Sequence, residues 1–473
     1  MKILGYNETS HDAAMALIDD KKILFAGHAE RYSKKKNDWY NNDALYLNLL
    51  SYGIPDKAAY YEKSRLKKLR ILTRGGSSDW KPTYDFDAVE FKHHYSHAAA
   101  GYYTSSFDDA LIVVLDAIGE FNTSTIWVGE GEKISLIEKQ NYPLSFGLFY
   151  SAFTQLIGLM PNQEEYIMMG MAAYGNSRKY YKKVDSYFPN IKYQKYNFHK
   201  GIHDWKKPIN EQDKFDIAAA VQLVYERRLY EFMQSARKKT GKTKLVFMGG
   251  CALNCSANTI LWDLFDDIWI MPNPGDAGSS LGAALALRGS HIKWEGPYLG
   301  YDLGNKYPVE KILDALVSKG IAPVASGRAE FGPRAFGNRS ILADPTHIDV
   351  KDRVNKIKQR ELFRPFAPVV MEEYANEWFN MPKGKATPYM QYAVKCLKPD
   401  LIPAVVHEDG TSRVQTVNKD QHSGLYAVLS EWYKLTGVPV LLNTSLNVKG
   451  QPLLNDHIDI LNWEKMYQTK III

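Results

Sequence analysis

The chain has 473 residues, of which 45% are hydrophobic, 24% charged and 13% aromatic. This composition excludes disordered, collagen-like and low-complexity protein, and a chain of this length buries ample core without covalent staples. Lys and Arg number 59 against 53 Asp and Glu, a net charge of +6. That charge suits phosphorylated ligands but is too small and dispersed to define a nucleic-acid surface.

The 3 cysteines cannot build a disulfide framework. Cys251 and Cys255 lack the second pair that a zinc site needs, so all three are expected as free thiols of a reducing compartment. No long apolar stretch follows Lys2, so no signal peptide is expected. The longest aliphatic run, 110–115, is far below the roughly 18 residues that span a bilayer. A cytoplasmic protein with no membrane association is expected.

In chain order, residues 2–6, 13–19 and 23–30 read as three short strands, the last two joined by the turn-forming Asp-Asp-Lys-Lys at 19–22. Helix-like stretches follow at 42–51, at 62–74 (basic) and at 91–103, and 110–116 is a buried strand ending in Asp116. Longer helices are predicted at 145–158 and 214–238. The strand 244–248 runs into Gly249-Gly250, and the strand 267–271 precedes a small-residue helix at 277–288.

Strands that end in Asp or Gly-Gly before a helix are the layout of ligand-binding α/β folds, and the opening strand meander points to actin- or hexokinase-type architecture. Gly and Pro cluster at 295–302, which places a domain boundary near 305. The expected domains are 1–305 and 306–473. Past the boundary, 324–345 is rich in Gly and Arg, and 404–417 and 433–447 hold short apolar strands.

His93 and His97 lie four residues apart, so on a helix they share a face and offer two imidazoles to one ion. His94 points elsewhere. Asp116 and Asp276 each follow an apolar strand, and together the four make a mixed nitrogen and oxygen ligand set suited to iron, manganese or zinc. A polar helix face is the alternative for the histidine pair alone. Gly249-Gly250 through Asn254 follows a strand, where backbone amides and a helix start favour phosphate oxygens, and Gly275-Asp276-Ala-Gly278 repeats the arrangement. A purely structural turn is the competing explanation. Residues 241–243 are not a phosphate-binding loop, because Ala236 stands where its first glycine is required.

The densest signal is 327–340, which holds Arg328, Arg334 and Arg339 with Glu330 and three glycines in fourteen residues. Arginine forks grip phosphate and carboxylate oxygens, and the glycines admit close backbone approach. Lys358, Arg360 and Arg364 add cations. Arg413 in 407–413, and Ser445 and Asn447 in 443–447, supply polar groups at strand ends.

These motifs resemble the NodU/CmcH family of O-carbamoyltransferases. The resemblance rests on residues 331–345, Arg364-Pro-Phe-Ala-Pro368 and Asn443-Thr-Ser-Leu-Asn447. It extends to His11-Asp12, Glu30-Arg31 through Lys36, His93–His97, Asp116 with Gly119-Glu120, and residues 169–175, 249–254 and 275–278. It implies an actin-like (duplicated ribonuclease-H-type) α/β domain followed by a smaller YrdC-like α/β domain. The second would make carbamoyl-adenylate from carbamoyl phosphate and ATP, and the first would pass the carbamoyl group to an acceptor hydroxyl. The resemblance further implies one metal ion on His93, His97, Asp116 and Asp276, with iron expected and manganese, magnesium and zinc as alternatives. His11 would take the acceptor's proton, and Lys36 would neutralise charge beside it. Lys358, Arg360, Ser445 and Asn447 would act with Arg334, Arg339 and Arg413 on carbamoyl phosphate and nucleotide. Gly249, Gly250, Asn254 and Gly275 would line the nucleotide site.

Two departures stand out. Ile167 occupies the place of a family lysine, and Asp116-Ala-Ile-Gly-Glu120 replaces Asp-Gly-x-Gly-Glu. The connection 316–327 is also abbreviated. The expected partner is a small hydroxylated acceptor, a nucleoside or nucleotide included, and a homodimer is an admissible assembly. Rival expectations are carbamoylation of a nucleic acid through the basic aromatic stretches 178–183 and 192–207, and a non-catalytic nucleotide-binding scaffold.

Overall fold

The computed structural model describes residues 1–72, 81–206, 209–361 and 363–473. The chain forms two compact units: one of residues 1–24, 39–41 and 49–294, the other of residues 25–38, 42–48 and 295–473.

Two five-stranded sheets are built from residues 3–269. In the first sheet, β1 (Ile3–Asn7), β2 (Ala14–Ile18), β3 (Ile23–His28), β4 (Lys57–Tyr60) and β5 (Ala88–Glu90) lie in the order β3-β2-β1-β4-β5. β1 runs antiparallel to β2 and parallel to β4, which is parallel to β5. In the second sheet, β6 (Asp109–Gly119), β7 (Asn122–Glu130), β8 (Lys133–Asn141), β9 (Lys244–Met248) and β10 (Asp267–Trp269) lie in the order β10-β9-β6-β7-β8. β6 pairs antiparallel with β7 and parallel with β9. Both sheets thus place their strands third, second, first, fourth, fifth, with a meander followed by parallel crossovers. This is the duplicated actin-like arrangement expected from the sequence.

β1 and β2 are buried along their whole length, which matches their unbroken apolar character. β8 is an edge strand, and along its largely exposed length it carries Lys133, Glu138 and Lys139, charges that discourage edge-to-edge association. The helix Gly278–Arg288 is buried from Gly278 through Ala286 because it packs on the helix His93–Thr104 and on β1. The long helix Glu211–Thr240 starts at a capping box of Asn210 with Asp213 and stops at Gly241 in the left-handed conformation.

In the second unit, the strands Ile321–Ala325, Arg339–Ala343, Val440–Ser445, Ala367–Met371 and Gln415–Val417 form one mixed sheet in that order. The helices Val309–Lys319 and Ser423–Thr436 bury Ile312, Leu316, Leu425, Leu429 and Trp432 against Val324 and Val369. Each such aliphatic side chain contributes about 1.5–3 kcal/mol of transfer free energy.

Several elements differ from the sequence expectations. Residues 433–436 end a helix, and only Val440–Ser445 is strand, because Gly437 at φ 73° closes the helix first. The hairpin β7–β8 was not anticipated: its Thr- and Ser-rich start and charged edge give little apolar alternation. The abbreviated connection 316–327 still holds a complete buried strand, Ile321–Ala325, paired along its length with Arg339–Ala343. The basic stretch 62–74 is the helix Ser64–Leu72, and its residues 73–74 lie outside the described residues. No helix of the described residues is long and apolar enough to cross a membrane.

Candidate functional site

The helix His93–Thr104 begins against β6 and β7 with its first amides unpaired within the helix. Glu120, buried at the turn after β6, accepts hydrogen bonds at Oε1 from the His93 amide (3.0 Å) and the Lys63 amide (2.9 Å). A carboxylate at this end complements the helix dipole. Gly119 makes room for the first histidine, since a Cβ there would lie 2.4 Å from the His93 ring. One turn apart, His93 and His97 bring their Nε2 atoms to 3.1 Å.

Asp116 comes off β6 and Asp276 off the loop after β10. Asp116 Oδ2 is 3.0 Å from His93 Nε2 and 3.4 Å from His97 Nε2, and Asp276 Oδ1 is 3.4 and 3.3 Å from the same atoms. All four ligand atoms lie within 4.8 Å of one another, and all four residues are buried. Burial lowers both histidines, but Asp276 and Asp116 outweigh it and drive them above their ordinary range. For Asp276, burial raises the carboxyl and His93 more than reverses it. Two carboxylates confined beside two imidazoles form a pocket of negative potential that gathers positive charge, and its donor set fits a divalent cation. His94 bonds through Nδ1 to Thr125 Oγ1 at 2.9 Å and stays outside the cluster.

Gly249 joins β9 to this corner. Its φ is +91°, a Cβ there would lie 2.1 Å from the Leu115 carbonyl, and its amide donates to Pro274 O at 2.9 Å. Gly250 is exposed beside Asp116, and Gly275 has open space where a side chain would be. Asn254 is engaged structurally: its Oδ1 accepts from the Ala257 amide (3.0 Å), and its amide exchanges hydrogen bonds with Gln222.

His11 sits at the junction of β1 and β2, partly exposed, with Nδ1 3.1 Å from Asp12 Oδ2. Burial lowers this imidazole, but the hydrogen bond to Asp12 and the charges of Asp12, Asp276 and Asp116 raise it to about 10. Lys36 is exposed and falls within the second unit.

A second polar centre lies in the second unit. Lys358, at the end of the helix Asp349–Lys358, is buried and donates to Ser445 Oγ (3.0 Å), Asn447 Oδ1 (2.8 Å) and Asn447 O (3.2 Å), and also to Ser445 O. Burial, with Arg360 and Arg364 nearby, holds its ammonium well below the usual lysine range. Arg360 donates to Asn355 Oδ1 at 2.8 Å and stacks over Phe366 at 4.2 Å. Arg334 and Arg413 are half-buried, in the loop 331–338 and on the strand Thr411–Arg413.

Arg339 departs from its expected role as a phosphate ligand. Its side chain is fully buried, and its guanidinium donates to the carbonyls of Ser326, Asn338, Tyr301, Gly327 and Asn455. That is a structural use, which ties the strand ends together. Glu330, unassigned from sequence, shapes the same loop: its Oε1 accepts from the amides of Phe336 (2.8 Å), Asn338 (2.9 Å) and Arg339 (3.3 Å). The signal was present as a lone carboxylate between Ala329 and Phe331. In the basic stretches, Lys179 pairs with Asp213 and Asp216, and Lys195 with Asp204. Those cations serve local structure.

The chain thus combines a duplicated actin-like unit that carries a buried histidine–aspartate cluster with a smaller α/β unit that carries a buried lysine centre. The family model described as Carbamoyltransferase N-terminus matches residues 57–285, and Carbamoyltransferase C-terminus matches residues 313–473. The chain belongs to the carbamoyltransferase family and is a carbamoyltransferase. Its relatives include nodulation protein NolO of Bradyrhizobium diazoefficiens, 33% identical over 78% of this chain and 75% of that protein. Nodulation protein NolNO of Sinorhizobium fredii is 31% identical over 96% of this chain and 76% of its own length. The Synechocystis protein sll1178 is 30% identical over 96% and 92%.

Proposed function

We propose that the chain is an ATP-dependent O-carbamoyltransferase that works in two steps. Water attacks carbamoyl phosphate and the bond between the carbamoyl group and phosphate breaks, which gives carbamate and phosphate. A carbamate oxygen then attacks the α-phosphorus of ATP, so that pyrophosphate leaves and carbamoyl-adenylate forms. An acceptor hydroxyl next attacks the carbamoyl carbon and AMP leaves. The observation that carries this reading is the presence of two chemically opposite buried centres, one in each unit, within a carbamoyltransferase chain.

In the second unit, Lys358 is held among Ser445 and Asn447 with Arg360 and Arg364 close enough to depress it. A lysine so placed draws in phosphate oxygens, whose negative charge restores its ammonium, and Arg334 and Arg413 supply further donors. Arg339 is not part of this set.

In the first unit, His93, His97, Asp116 and Asp276 would hold one metal ion, and the mixed donor set suits iron, manganese or zinc better than magnesium, which prefers oxygen ligands alone. Such an ion supplies Lewis-acid stabilisation of charge on the departing phosphate. Glu120 fixes the helix that carries both histidines, and Gly250 and Gly275 leave backbone accessible for a nucleotide, while Gly249, its amide bonded to Pro274 O, shapes the turn. His11 takes the acceptor's proton, its ring oriented by Asp12.

The test is pyrophosphate release by the purified chain from ATP. Release that depends on carbamoyl phosphate supports the two-step route, and none under any metal condition contradicts it.

A further inference from the structure

The segment 8–12, between β1 and β2, presents His11 in a costly backbone conformation. Thr9 lies at φ +65° and Asp12 at φ +64°. For a β-branched residue such as Thr9 the left-handed region is an outlier, which persists only where surrounding structure imposes it.

The imposing structure is the end of β4 and the helix after it. Lys67 Nζ donates to Thr9 O (3.0 Å) and Thr9 Oγ1 (3.1 Å). Tyr60 Oη is 3.3 Å from Thr9 Oγ1 and donates to Glu8 O at 3.0 Å, while Tyr61 Oη is 2.7 Å from Ser10 Oγ. The Thr9 amide donates to Trp39 O at 2.7 Å. Lys67 is the buried residue of the otherwise solvated helix Ser64–Leu72, and it pairs with buried Glu62. A buried ion pair is a poor device for stability alone, because well-packed apolar residues do as well. This pair, unlike apolar residues, places two donors on Thr9. The Tyr61 ring also lies 5.2 Å from that of His93, so one strand end touches both the His11 segment and the histidine–aspartate cluster.

We propose that Lys67, held by Glu62, is a positioning residue: it locks Thr9 in the left-handed conformation and thereby fixes where His11 presents its imidazole to the acceptor. The inference rests on the reading of His11 as the proton acceptor in carbamoyl transfer. Both residues of the pair are buried, and their effect passes through the backbone of residues 9–11.

The test uses the full chain carrying Lys67→Met together with Glu62→Gln, which removes the pair without leaving a buried charge. Long-range proton–nitrogen spectra, with the His11 signals assigned by His11→Gln, report the imidazole directly. AMP release from ATP and carbamoyl phosphate, with water as the probe acceptor, reports transfer, and pyrophosphate release reports the first step. The expected result is shifted and broadened His11 signals and AMP release lower by about 100-fold, the scale for misplacing a catalytic group by about 1 Å. Metal content and pyrophosphate release stay at wild-type levels. Unmoved His11 signals in the folded double variant overturn the proposal. If the double variant does not fold, Thr9→Val, which deletes only the hydroxyl, replaces it. A smaller shift of the same signals then supports the proposal, and unchanged signals overturn it. Absence of pyrophosphate release from the wild type counts against the functional reading and leaves the spectral test standing.

Discussion

The two polar centres are built on opposite electrostatic principles. In the first unit, two carboxylates and two imidazoles are packed so that positive charge is gathered. In the second, a lysine is buried among neutral acceptors with arginines nearby, so that its ammonium is disfavoured until an anion arrives. On the proposed reading the first centre takes a cation and the second phosphate, so loss of a residue from either should show first as loss of ligand.

The sharpest way to break the comparison is at the second centre. Lys358→Ala should lower pyrophosphate release on the order of 10³-fold, the scale for deleting a donor that meets developing charge, while metal content stays unchanged. Metal loss in that variant would merge the two centres into one functional unit. At the first centre, Glu120→Ala removes the acceptor of the His93 amide. Metal affinity should fall about 10–100-fold, as for other groups that orient metal ligands; a titration with Mn²⁺ or Fe²⁺ followed by metal analysis measures it.

Arg339 separates architecture from chemistry. Arg339→Met leaves several buried carbonyls without donors, at a cost of about 3 kcal/mol or more in unfolding free energy. Denaturant unfolding should show that loss. A raised KM for carbamoyl phosphate with unchanged stability would restore Arg339 to the binding set.

The smallest effect concerns pH. Burial holds both His407 and His422 at about 4, below the roughly 6.5 of an unfolded histidine. Between those values the unfolded chain binds more protons, so stability is full above about 6.5 and falls as pH drops through about 4. His422 has a specific reason: its Nδ1 accepts from the Leu425 amide and caps the helix Ser423–Thr436, and protonation destroys that acceptor. His422→Asn, which keeps a capping oxygen, should flatten the acid limb of a stability–pH curve. An unchanged slope would assign the acid sensitivity to other groups.

Much of the first centre was legible in the sequence because its logic is local. His93 and His97 sit at helical spacing, and Asp116 and Asp276 follow strands that announce themselves by composition. Glu120 was visible as a carboxylate, but its use as an acceptor for the His93 amide depends on where β6 turns. The second centre was legible only in part. Lys358, Ser445 and Asn447 are far apart in sequence and meet because Arg339–Ala343 pairs with Val440–Ser445. Arg339 looked like a phosphate ligand because sequence shows charge and not burial; five surrounding carbonyls decide its role. The duplication of the two sheets left no repeat in the sequence, since strand order is a property of pairing and the connecting segments differ in length.

The division of labour is the central claim, and His93→Ala tests it most directly when pyrophosphate release and bound metal are measured on the same preparation. The expected result is carbamoyl-phosphate-dependent pyrophosphate release at the wild-type rate with metal lost. Loss of both together, in a variant that retains its fold, would contradict it.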